Sequence, residues 1–282
     1  MKNLFILALS LLSGSTIAQT ENSILYRISG NGIEAPSYIF GTIHITCDAT
    51  LDDLTMKALA ETTQMYLELD MDDPEMQTNM MKHLAMKDGK KFSELLSTDD
   101  YKILSAFLKQ KINITADVVD TYKPFVLSAS FVTSLLDCEP QSFEAELMKV
   151  SVAQKEPIFG LETVEEQMAI FDQIPYQMQA EELIKSIKND FKEDKIELNQ
   201  LIKTHATKDL IEMQRHLAKS KNAMMTEYEG LLLTDRNRNW IKSIVEITKE
   251  APTFFGVGAA HLLGPEGVIH LLRERGYLVE AL

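Results

Sequence analysis

Apolar and polar positions change rhythm several times along this chain. Residues 24–29, Ile-Leu-Tyr-Arg-Ile-Ser, alternate and stop at Gly30-Asn31-Gly32, which predicts a strand and a turn. Residues 37–43, Ser-Tyr-Ile-Phe-Gly-Thr-Ile, are apolar almost throughout and predict a buried strand. Leu51, Leu54, Ala58 and Leu59 then share a helical face within 51–63. Residues 65–70, Met-Tyr-Leu-Glu-Leu-Asp, read as a third strand with two carboxylates inside it. Alternation would set Glu68 and Asp70 on one face, opposite Leu67 and Leu69. The strand pattern returns at 156–162, after Pro252 and at 277–280.

The long stretches between have a helical rhythm, with charges interleaved among Leu, Ile and Met. Thr98 reads as the cap of a helix starting at Asp99, and Pro124 as the first turn of one reaching Leu136. A further helix is expected over 143–153. Thr163 and Glu166 match a capping box. Pro265 and Gly276 frame a helix over 266–275. The order predicts an α/β protein: a central mixed sheet surrounded by helices, with two long helical insertions at about 75–153 and 163–250. One domain over 19–282 is expected, its insertions forming walls or a lid of the site.

Residues 1–18 change the picture of where the chain works. Lys2, the apolar run from Leu4 to Leu12 and Thr16-Ile17-Ala18 read as a cleavable signal peptide. A periplasmic or secreted protein is expected, with no integral membrane span in the mature chain. The composition, 45% hydrophobic and 25% charged over 282 residues, is that of a globular protein with a substantial core. A net charge of −14 argues against nucleic acid as a partner, because phosphates would be repelled. The two cysteines, Cys47 and Cys138, read as one disulfide in an oxidising compartment. Two buried thiols are the alternative, since sequence does not supply the Cα separation. A bridge would tie the loop after His44 to a distant helix.

The candidate chemistry begins with two histidines. His44 and His261 each follow a β-prone run and stand three residues beyond a glycine. In open α/β sheets ligands sit outside the carboxyl ends of strands, so two histidines delivered that way predict one shared site. Glu68 is costly to bury unpaired and must face solvent, a salt bridge or a cation. Glu162 repeats the pattern at another strand end. Two histidines with one or two carboxylates suit a divalent ion such as Zn2+, Mn2+ or Co2+. The His-Glu-x-x-His helix of familiar zinc proteases is absent. Arg236 is placed to grip a carboxylate or a developing oxyanion, and Asn237 to orient a neighbour. His83, His205, His216 and His270 fall in helical patterns and are not candidates. Met76, Met80, Met81 and Met86 read as adaptable packing.

Taken in order, several motifs resemble the TraB/GumN family, whose animal relatives include the TIKI proteases. They are Ser37-Tyr38-Ile39-Phe40-Gly41-Thr42-Ile43-His44, Tyr66-Leu67-Glu68-Leu69-Asp70 and Gly160-Leu161-Glu162-Thr163-Val164-Glu165-Glu166-Gln167. Arg236-Asn237-x-x-Trp240, Gly258-Ala259-Ala260-His261-Leu262-Leu263-Gly264-Pro265-Glu266-Gly267-Val268 and a closing Leu271-Leu272-x-x-x-Gly276-Tyr277 complete the set, which covers nearly the whole mature chain. The resemblance implies a fold related to the erythromycin-esterase and ChaN-like group and a divalent-metal-dependent peptidase. It carries His44 and His261 over as metal ligands or catalytic residues, and Glu68 as ligand or base. Glu162 and Arg236 join the site without assigned roles. The expected function is an exported metal-dependent hydrolase acting on peptides or proteins. His44, Glu68 and His261 would hold the ion, Glu162 or Glu165 would shuttle the proton, and Arg236 would neutralise the anionic intermediate. A non-catalytic peptide-binding protein and a metal-independent, esterase-like hydrolase are the alternatives.

Overall fold

A computed structural model of the chain describes residues 22–282; the signal peptide expected at 1–18 lies outside the described residues. Six strands form one mixed sheet in the order β4-β3-β5-β2-β1-β6. They are β1 (Leu25–Gly30), β2 (Ser37–Thr42), β3 (Gln64–Leu67), β4 (Ile158–Gly160), β5 (Thr253–Gly258) and β6 (Tyr277–Ala281). β1 and β2 form an antiparallel hairpin. Its turn needs the Gly-Asn-Gly read from sequence, because Gly30, Asn31 and Gly32 all take positive φ. β6 pairs antiparallel with β1 on the outside.

β2, β5, β3 and β4 run parallel, and this arrangement places the site. Their carboxyl ends share one edge of the sheet: Thr42 pairs with Gly258, and Leu67 pairs with both Gly256 and Gly160. Ile39, Met65, Leu67, Phe254, Phe255 and Val257 have no exposed surface, as strands covered on both faces require.

Helix α1 (Asp53–Ala60) connects β2 to β3. The first insertion joins β3 to β4 and holds α2 (Met76–Lys82), α3 (Phe92–Leu95), α4 (Thr98–Ile112), α5 (Pro124–Ala129) and α6 (Phe143–Gln154). The second joins β4 to β5. It holds α7 (Val164–Phe171), α8 (Tyr176–Lys188), α9 (Lys192–Ala206), α10 (Leu210–Leu217), α11 (Ala223–Glu227) and α12 (Asp235–Glu250). Helix α13 (Val268–Glu274) returns the chain to β6. Trp240, Ile241 and Ile244 of α12 and Val268 and Leu272 of α13 pack into the sheet's core. A separate core ties the insertions together: Phe92, Leu104, Leu108, Leu127 and Phe131 from the first, Leu183 and Ile184 from the second.

Several local expectations shift. β3 stops at Leu67, so Glu68 and Asp70 lie beyond the strand rather than inside it. Ser97, not Thr98, caps α4, accepting from the Asp100 amide. The helix expected to reach Leu136 ends at Ala129 and resumes as a 3-10 turn, Val132–Leu135. α1 starts at Asp53 because the Asp52 carboxylate accepts from Thr55 N. The capping box of Thr163 and Glu166 opens α7 as read.

Cys47 and Cys138 form a disulfide with Cα atoms 5.7 Å apart. Beside it Thr46 and Gln141 exchange two backbone hydrogen bonds of 2.9 Å. Ala49 N donates to Gln141 Oε1 at 3.0 Å. The loop after β2 is thereby stapled to the start of α6.

Candidate active site

Four polar side chains follow the carboxyl ends of the four parallel strands: His44 after β2, Glu68 after β3, Glu162 after β4 and His261 after β5. The two Gly-x-x-His motifs face each other for a steric reason. A Cβ on Gly41 would lie 2.8 Å from Leu262 Cδ1 and 3.0 Å from Ala259 Cα, so the first glycine lets the second loop approach. A Cβ on Gly258 would lie 3.1 Å from Glu68 Oε1, 3.6 Å from His261 Cδ2 and 3.7 Å from His44 Nε2. Neither glycine takes a positive φ; both serve close approach. The missing side chain of Gly258 therefore marks a space that both histidines and Glu68 border.

His261 is buried, and its neighbours fix its tautomer. Asn237 donates through Nδ2 to the carbonyls of His261, at 3.2 Å, and Glu266, at 2.8 Å. Its Oδ1 must then accept from His261 Nδ1, at 2.6 Å. The proton sits on Nδ1 and Nε2 carries the lone pair. Arg236 Nη1 approaches that Nε2 at 3.0 Å. Burial, with Arg236 and His44 nearby, holds the His261 pKa down at about 3 against the pull of Glu68, so the ring is neutral.

His44 is built differently. Its side chain is 68% exposed, but Nδ1 lies 2.7 Å from Oε1 of the buried Glu144. Packing around the ring disfavours its charge. The Glu144 hydrogen bond and the carboxylates of Glu68 and Glu144 outweigh that and raise its pKa to about 9. Solvent at the open edge moderates the shift. Glu144 Oε1 also accepts from Thr42 Oγ1 at 2.6 Å, and Oε2 from Ser142 Oγ at 2.7 Å. With Nδ1 turned to Glu144, Nε2 faces the Gly258 space.

Arg236 is the centre of the charge network. Nη2 donates to Glu68 Oε2 at 2.5 Å and to Glu162 Oε1 at 2.6 Å, while Nη1 also reaches the Leu232 carbonyl at 3.1 Å. That carbonyl belongs to a π-helical turn, Gly230–Thr234, directly before α12. The guanidinium lies 4.6 Å from the centre of the Trp240 ring. Burial opposes the Arg236 charge, and Glu68 and Glu162 more than offset it, raising its pKa. Glu162 is fully committed: besides Arg236 it accepts from Gln167 Nε2 at 2.9 Å and Trp240 Nε1 at 3.2 Å. Glu68 Oε1 accepts from Gly258 N at 2.8 Å. Burial works against the Glu68 charge, but His261, Arg236 and His44 hold its pKa down at about 2.

The structure thus gathers His44, Glu68, Glu162, Arg236 and His261, the five residues singled out in sequence. Asn237, read from sequence as orienting a neighbour, bonds His261, and the structure adds Trp240 and Glu144. Asn237 and Trp240 stood in the Arg-Asn-x-x-Trp motif. Glu144 carried no signal of its own beyond lying six residues after Cys138, whose partner follows His44 by three. Glu165 is exposed on the first turn of α7.

The donors suit a divalent ion in chemistry. Each histidine gives its Nδ1 to an acceptor and leaves Nε2 for a ligand, the usual outer support of metal-binding imidazoles. Glu68 Oε1 stands 3.8 Å from His261 Nε2. Among the described residues, however, no three His, Cys, Asp or Glu are gathered tightly enough to cage an ion. Arg236 Nη1 rests on the nitrogen an ion would use.

A profile of the TraB/PrgY/gumN family matches residues 24–281. The chain is 24% identical over 329 residues to a protein named Metalloprotease TIKI2 from Danio rerio, an alignment covering 92% of this chain and 61% of that protein. It is 23% identical over 322 residues to Metalloprotease TIKI2 from Xenopus tropicalis, covering 92% and 60%. The chain spans about three fifths of the length of these curated relatives. No solved structure matches it significantly. Among the described residues, no helix is long and apolar enough to cross a membrane.

Proposed function

The chain belongs to the TraB/PrgY/gumN family, and from that premise we propose that it is an exported, metal-dependent hydrolase that cleaves peptides. One observation supports the reading: His44 through Nε2 and His261 through its ring edge border a space they share with Glu68, each with Nδ1 held by an outer acceptor. His44 and His261 would hold the ion through Nε2, and Glu68 through Oε1. When bound, a divalent ion supplies a Lewis acid for the scissile carbonyl.

The chain's own groups do the rest. Asn237 and Glu144 keep the two imidazoles in their working tautomers. Glu162 and Trp240 hold the Arg236 guanidinium, whose N–H groups are all engaged by Glu68, Glu162, the Leu232 carbonyl and His261, so its positive charge rather than a free donor would offset the negative charge that grows on the carbonyl oxygen. Glu162 is then a positioning residue rather than a proton carrier, because both its oxygens are already occupied. The relatives named metalloproteases support a peptide bond as the one cleaved.

Purified protein tested on a fluorogenic peptide panel with Mn2+, Co2+ or Zn2+ decides the matter. Cleavage that a chelator abolishes, and that His44→Ala or His261→Ala lowers by about a hundredfold or more, is expected. Cleavage that survives both chelation and His44→Ala would end the proposal.

A second reading has its own observation. Arg236 already occupies His261 Nε2, and Glu144 backs His44 as a carboxylate backs a general-base histidine. In that metal-independent hydrolysis, His44 Nε2 takes the proton of the attacking water. The base works only when uncharged, so kcat/KM would rise with pH toward about 9, the raised pKa of His44. Chelator-insensitive cleavage with that profile, lost in His44→Ala, selects it.

A further inference from the structure

We infer that Glu144 is the positioning residue of His44 and that the Cys47–Cys138 disulfide clamps the His44 loop onto it, which makes the site sensitive to reduction. The inference rests on reading His44 as a site residue. Residues 43–50, which carry the imidazole, include no helix or strand. The partner surface is fixed without help: Phe143 and Leu147 anchor α6 in the main core, and Phe143 packs on Phe40 with ring centres 5.5 Å apart. Glu144 lies between those anchors, 7% exposed. The disulfide joins this loop to the segment leading into α6, three residues beyond His44 and six before Glu144. Apart from the His44–Glu144 contact, the hydrogen bonds of Gln141 to Thr46 and Ala49 are the further ties here. Ile43 and the buried Ala49 hold the two ends of the loop against the core, so when the bridge opens α6 stays and the middle of the loop, with its imidazole, loses the covalent tie that keeps it at Glu144.

The bridge is open to attack, because Cys47 is exposed. A thiolate of a dithiol reductant attacks Cys47 Sγ, the S–S bond breaks, and Cys138 departs as thiolate. The second thiol of the reductant then displaces Cys47 as thiolate. The dithiol closes its own disulfide and has given up two electrons.

The test follows the Nδ1–H proton of His44 in 15N-histidine-labelled protein at low temperature, assigned by its absence in His44→Ala. The Nδ1–H of His261, held by Asn237, is the internal control. The His44 signal is expected in oxidised wild type and, shifted, in Glu144→Gln, whose amide oxygen still accepts. It is expected to be lost in Glu144→Ala and after dithiothreitol treatment, with the His261 signal unchanged in all four. Retention of the His44 signal in Glu144→Ala, or through reduction, overturns the inference. Loss of both signals on reduction overturns it too, because the bridge would then serve the whole fold and not the ring. A protein that cleaves no peptide yet shows the expected pattern sinks the hydrolase reading and leaves this one standing. Peptide cleavage beside a His44 proton indifferent to reduction does the reverse.

Discussion

Gly258 has the smallest side chain in the site and one of the sharpest roles. Its φ of −52° suits any residue, so alanine there would not strain the backbone. The added methyl would instead stand 3.1 Å from Glu68 Oε1 and fill the space that the two histidines border. Gly258→Ala is expected to keep its melting temperature within a few degrees while kcat/KM falls by about tenfold or more. Thermal melts beside peptide kinetics check this, and parallel loss of both would show the glycine to be structural. At this scale the five candidate residues were legible because each follows a strand-like run or stands in a distinctive motif. Glu144 was not. It is an acidic residue in the first turn of a helix, where carboxylates are common for dipole reasons alone. Only the arrival of Thr42 and His44 from a hundred residues away gives it a different task.

Among the elements, α5 and α7 meet through a buried ion pair that sequence did not announce. Lys123 Nζ and Asp172 Oδ1 lie 2.9 Å apart, with side chains 2% and 6% exposed. Asp172 also accepts from the Tyr176 hydroxyl at 2.5 Å and faces Lys87 at 3.2 Å. Burial works against the Asp172 charge, but Tyr176 and Lys123 outweigh it and hold the pKa below its ordinary 3.8. A depressed carboxylate stabilises the fold above its unfolded pKa, and that share is lost as pH falls through the folded value. Wild type should therefore lose stability progressively below about pH 4. Asp172→Asn should be less stable at pH 7 by roughly 3–5 kcal/mol, since it leaves Lys123 buried and unpaired, and should show a flatter pH dependence in the acid window. Melting curves at closely spaced pH values test both slopes. The helical rhythm located the insertions but not their breaks. The stop at Ala129 and the π-helical turn before α12 answer to packing and to the Arg236 contact with Leu232, neither of which is periodic in sequence.

For the whole molecule, the decisive fact is that four parallel strands end on one edge of the sheet. That edge collects side chains separated by more than two hundred residues. The disulfide acts at the same scale, closing a separation of 91 residues. Replacing both cysteines by serine should lower stability by roughly 2–5 kcal/mol, read as a lower denaturant midpoint with little change in slope. The sheet core does not include the bridge, so the protein should still fold. A midpoint equal to wild type would remove the bridge from the stability account.

By itself the sequence determined the α/β class, the parallel-type buried strands and the two helical insertions, and it singled out the five candidate residues that the fold brings together. These are local properties: periodicity, caps, turn residues and charges placed where burial would be costly. Tertiary structure alone decided that β3 stops before Glu68, that Asn237 sets the His261 tautomer, that Glu144 supports His44 and that Arg236 rests on the nitrogen an ion would use. Each depends on strand order and register, which bring together groups that share no local pattern. A chain read in one dimension carries no distance between them.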